Sequence, residues 1–103
     1  MLTGKQKRYL RSQGMTMKPL INLGKNGLSQ TFVAGVADAV DKRELVKISL
    51  LPAAEDTPQT VGAFLTTEIP GLEVAQTIGR TLLVYRVASK EENRHISAAL
   101  AKL

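Results

Sequence analysis

The chain has 103 residues, 44% of them hydrophobic, and carries 14 lysines and arginines against nine acids, for a formal charge of +5. That length and apolar fraction fit one globular domain and exclude general disorder. Cysteine is absent, which excludes disulfides, thiolate metal sites and cysteine nucleophiles.

No apolar run is long enough to span a bilayer. The basic N-terminus lacks the apolar segment of a secretory signal, so a cytoplasmic location is expected. The charge is one-sided. The first fifty residues hold nine basic and three acidic groups, the rest five and six, and no acid precedes Asp38. Such a field concentrates an anionic polymer near one part of the surface; it also fits a face used only for solubility.

Thr3 and Gln6 have capping-box spacing, which predicts a helix from about Gly4 to Gln13. Leu2, Gln6, Tyr9, Leu10 and Gln13 share one sector, and Lys5, Lys7, Arg8 and Arg11 the opposite one. Gly14 is expected to end this helix. Met15 and Met17 are expected to cover the core. Lys18 before Pro19 favours extended chain leading into a first strand, Leu20 to Leu23.

Leu23-Gly24-Lys25-Asn26-Gly27-Leu28-Ser29 then reads as strand end, tight loop and helix start. Two glycines permit turns or close approach of another backbone. Lys25 adds charge at the tip, and a helix start behind it favours anions. The G-x-x-G string alone also fits an ordinary strand-to-helix turn. Ser29 is the expected N-cap, with Leu28 and Val33 as a hydrophobic staple. Val33, Val36, Ala37 and Val40 form the inward stripe, and Asp38 and Lys42 an exposed pair. Gly35 costs about 1 kcal/mol relative to Ala in a helix and lies off the stripe.

Leu45 to Leu50 alternates as a strand, with Val46, Ile48 and Leu50 on one face. Thr57-Pro58 begins a third helix with Val61, Phe64 and Leu65 inward. Leu72 to Ile78 and Thr81 to Val87 form a hairpin about Gly79-Arg80. Beyond residue 88 a tail of 89–103 is expected, disordered or with a short helix capped by Ser89 and Glu92. His95 is the single histidine, with no visible catalytic or metal-binding partner. No catalytic, metal or cofactor residues are assigned.

Taken together, Leu2 to Arg11, Lys18-Pro19, Leu23 to Ser29, Glu44 to Ile48 and Ile78 to Arg86 resemble the bacterial stand-alone form of the CRM domain. This is the RNA-binding domain of chloroplast splicing and ribosome maturation proteins. The resemblance implies an α/β two-layer domain over residues 1–88, ordered α-βαβαββ, with a mixed four-stranded sheet like that of the C-terminal domain of translation initiation factor three.

It implies a non-enzymatic, monomeric factor that binds ribosomal RNA in precursors of the large ribosomal subunit, with no membrane or small-molecule substrate. RNA binding maps by resemblance to Gly24, Lys25, Asn26 and Gly27. The basic residues Lys5, Lys7, Arg8, Arg11 and Lys18 extend that surface, and Lys47, Arg80 and Arg86 are secondary candidates. A DNA-associated architectural protein and a ribosome-associated protein-interaction module are the alternatives.

Overall fold

The computed structural model describes residues 2–103. Helix α1 (Gly4–Gly14) starts on the complete capping box: Gln6 N–H donates to the Thr3 hydroxyl, and the Gln6 side chain accepts from Thr3 N–H. Strand β1 (Ile21–Leu23) follows, then helix α2 (Gln30–Arg43) and strand β2 (Leu45–Leu50). Helix α3 (Pro58–Glu68) is capped by Thr57, with Pro58 in the first turn. Strands β3 (Glu73–Ile78) and β4 (Thr81–Tyr85) form the hairpin, and Gly79 takes φ +55° at its turn. The chain closes with a 3-10 turn at Glu91–Asn93 and a short helix α4 (Ile96–Leu100).

The sheet order is β1-β2-β4-β3. β1 and β2 are parallel, with α2 as the crossover; β2–β4 and β4–β3 are antiparallel. Alternation along β2 and β4 sends Val46, Ile48, Leu82 and Val84 to one face, against Val36 and Val40 of α2 and Val61 and Leu65 of α3. Leu45, Leu83 and Tyr85 point to the other face, against Leu10 of α1 and Leu100 of α4. The expected two-layer arrangement is therefore corrected to three layers. β4 is apolar at consecutive positions because both its faces are covered, which a one-sided strand does not require.

Gly14 is not a left-handed cap. It is buried at the last turn of α1, and a Cβ placed there would lie 2.7 Å from Leu83 Cδ2. The missing side chain lets the helix touch the sheet. Gly14→Val should cost about 2 kcal/mol by overpacking; an unchanged midpoint in chemical denaturation would contradict this contact. Met15 also departs from expectation. It is 82% exposed, while Met17 is half-buried against the α1 side of the sheet.

The tail is part of the packed structure. Leu100 is buried and Ile96 packs beside it, while the Gln6 amide donates to Leu100 O. The helix there has His95 at its cap with no side-chain bond. Ser89 does not cap it; its N–H and hydroxyl both donate to Asp41.

At the root of this arrangement is Glu44. It follows α2 at φ +65°, a conformation usually left to glycine, and it is fully buried. Its carboxylate accepts from Ala88 N–H at 2.8 Å and Ser97 N–H at 2.9 Å. The charge at the end of α2 thus ties the tail to the sheet.

Candidate functional site

The glycine loop turns between Leu23, which β2 holds in register with Leu50, and the cap of α2. Gly27 N–H donates to Gly24 O, and Ser29 N–H to Gly27 O. Only Gly27 needs a left-handed backbone, at φ +67°. Gly24 adopts no positive φ, and a Cβ there would make ordinary contact with Leu51. The Ser29 hydroxyl accepts from Phe32 N–H at 3.1 Å. The first amides of α2 have no acceptor within the helix, so the loop leads into a ready anion-facing end.

Beside the loop lies a cleft of about 390 Å³. Gly24, Asn26 and Gly27 line one end of it. Lys25 is exposed at the loop and does not line the cleft. Asp56 also approaches: its Oδ2 would sit 3.7 Å from a Cβ on Gly27. This acid is remote in sequence, and only the folded chain brings it beside Gly27.

The α1 cations are on a different surface. α1 covers the sheet face opposite α2. Lys5, Lys7, Arg8 and Arg11 are all exposed there, and Arg11 bonds only to its own helix, at Lys7 O. Lys18 is exposed and lines a second cleft with Gln13, Met17, Leu20, Arg43 and Leu45. The basic helix and the glycine loop therefore lie on opposite sides of the sheet, with Lys18 on the connection between them.

The three secondary cations have intramolecular partners. Lys47 Nζ donates to Gly14 O at 3.1 Å and Met17 O at 3.3 Å, closing the C-terminal end of α1. Arg80 donates to the carbonyls of Leu50, Leu51 and Ala54. Arg86 donates to Pro70 O and pairs with Asp41 at 3.6 Å. A side chain holding carbonyls, or a carbonyl and a carboxylate, loses those contacts on turning toward a ligand, so these positions act first as structural braces. The partners lie 16 to 45 residues away in sequence, where spacing rules have no reach.

Among the described residues there is no group of three or more His, Cys, Asp or Glu that could hold a metal ion. Nor is any helix among them long and apolar enough to cross a membrane. The site offers backbone amides, exposed cations and an apolar cleft. That chemistry suits recognition of an anionic chain carrying flat apolar groups.

A family model described as the CRS1 / YhbY (CRM) domain matches residues 2–86. The chain is 36% identical over 96 residues to "Probable RNA-binding protein YqeI" of Bacillus subtilis, covering 93% of this chain and 97% of that one. It is 33% identical over 85 residues to an "RNA-binding protein" of Haemophilus influenzae, covering 82% and 85%. The solution structure of the hypothetical protein SAV1595 from Staphylococcus aureus superposes with a TM-score of 0.73 at 32% identity, covering 92% of this chain and 98% of that one.

Proposed function

The chain belongs to the CRS1 / YhbY (CRM) domain family, and from that premise we propose that it binds RNA, in precursors of the large ribosomal subunit. The glycine loop and the basic helix are the contact surfaces. Gly24 and Gly27 let an RNA backbone come close, and Asn26 meets a sugar or base edge. Lys25, Lys5, Lys7, Arg8, Arg11 and Lys18 meet phosphates. The observation that carries this reading is the loop itself: a left-handed Gly27 turn opening on a cleft with no acid in its lining. Phosphate contacts of this kind position RNA without reading its sequence.

Titration of the full chain with precursor large-subunit RNA, unrelated structured RNA and duplex DNA, over a range of salt, tests the reading. Preference for the precursor, with affinity falling steeply as salt rises, is the expected result. Equal binding to all three, preference for the duplex DNA, or association surviving RNA removal at high salt would count against it.

Lys25→Gln should weaken RNA binding about fivefold and lower the log–log salt slope by about 0.7 to 0.9. Its thermal midpoint should not move, because Lys25 is exposed and makes no side-chain bond among the described residues. Unchanged affinity would remove Lys25 from the contact set.

A further inference from the structure

Gly35 has no packing reason to be glycine: a Cβ there would meet nothing within 4 Å. Alanine would strengthen the helix by about 1 kcal/mol. What the missing side chain does is leave the cleft beside the loop open. Thr31, Gly35 and Ala39 follow one another at one-turn spacing along α2 and line that cleft. The facing wall is β1, an edge strand. Leu23 O accepts inward from Leu51 N–H, and the register pairs Ile21 to Leu23 with Ile48 to Leu50, so alternation turns the backbone polar groups of Asn22 to the unpaired side.

Leu20 also lines the second cleft, of about 340 Å³, together with Lys18 and Arg43. The two clefts therefore share Leu20, the residue just before β1. No aspartate or glutamate lines either. Among the described residues neither Lys18 nor Arg43 has an ion pair.

We propose that the two clefts are one track for a single RNA strand, running from the glycine loop along the β1 edge to Lys18 and Arg43. Phosphates sit on the loop amides and on the two cations. Unstacked bases enter the apolar cleft between β1 and α2, where the outward amide and carbonyl of Asn22 meet their polar edges. A paired A-form helix cannot present its bases in this way, since they are stacked and paired inside it. The acid-free lining of both clefts, with Lys18 and Arg43 on the second, favours a polyanion over a peptide strand added to β1. Arg43 joins the contact residues, and Gly35 sets the width of the track. This inference rests on the RNA-binding reading above and adds the strandedness and the path.

The test uses the full chain, Gly35→Leu and Arg43→Gln, with a short mixed-sequence single-stranded RNA and the same RNA annealed to its complement. Wild type should prefer the single strand. Gly35→Leu should fold as stably as wild type and bind the single strand at least about tenfold more weakly, because a leucine fills the space a base needs. Arg43→Gln should lose about fivefold with a smaller salt slope. Binding to the duplex, through the α1 cations, should be the same in all three. Wild-type affinity of Gly35→Leu for the single strand, or an equal loss on both RNAs, would overturn the track while leaving RNA binding intact. No binding of either RNA by wild type would overturn both.

Discussion

Replacing Glu44 with alanine should lower the stability of the chain by about 3 kcal/mol, with a fall in thermal midpoint on the order of 15 °C. Two amides, Ala88 N–H and Ser97 N–H, would lose a charged acceptor in a buried place, and hydrogen bonds to charged groups contribute about 1.5–3 kcal/mol each. The loss should be local before it is global. Residues 88–103 should detach first, seen as faster amide exchange at Ala88 and Ser97. Glu44→Gly would lose the same bonds but relieve the left-handed backbone at φ +65°, so it should be about 1 kcal/mol less damaging than alanine. Equal stability of wild type and Glu44→Ala in urea unfolding would refute the clamp.

The same residue sets an acid limit. Burial pushes the Glu44 carboxyl up, but the hydroxyl and amide of Ser97 and the amides of Ala88 and Ile96 together hold it below its ordinary 4.5. Asp41 is also held below its ordinary 3.8, first by the amide and then by the hydroxyl of Ser89. A depressed carboxyl takes up its proton later in the folded chain than in the unfolded one. The stabilisation is therefore complete above about pH 4.5 and is lost as pH falls through the folded value. The stability gap between wild type and Glu44→Ala should be constant near neutrality and narrow in acid. Nearby, Tyr85 moves the other way: burial, then the charge of Glu44, raises its phenol, so it stays neutral throughout this range.

The second large effect should come from α1. Changing Lys5, Lys7, Arg8 and Arg11 together to serine should reduce affinity for RNA by a hundredfold or more and lower the log–log salt slope by roughly 3. All four are exposed, and among the described residues none of their side chains bonds to another element. The fold should survive, since the helix is held by Leu10 and its capping box on the other side. Filter binding at several salt concentrations, with circular dichroism as a folding check, measures both parts. A slope unchanged by removing four charges would mean that this face never meets phosphate, and would leave the glycine loop as the contact surface.

Much of the local structure was legible without coordinates, for a physical reason. Caps, stripes and turns depend on residues three or four apart. Thr3 with Gln6, Ser29 with Phe32, Thr57 before Pro58 and the glycine at position 79 each specify their own element whatever surrounds it. The hydrophobic alternation of Leu45 to Leu50 likewise made β2 readable together with its inward face.

Other features required the assembled sheet. Lys47, Arg80 and Arg86 look like free cations in the sequence, yet each is drawn to carbonyls that only β-pairing brings near. Gly14 does end α1 as the sequence reads, but its second role, seating the helix on Leu83, needs the sheet in place. The tail reads as open until Glu44 and Asp41 are seen to hold it.

By itself, then, the amino-acid order determined the elements, their caps, the glycine loop and a basic helix. Tertiary structure alone decided that this helix and this loop lie on opposite faces, and that Gly35 and Arg43 line two clefts that share Leu20. Capping and periodicity are short-range and written in neighbouring residues. A cleft is the space left between elements once a crossover has laid them side by side, and no neighbouring residues encode it.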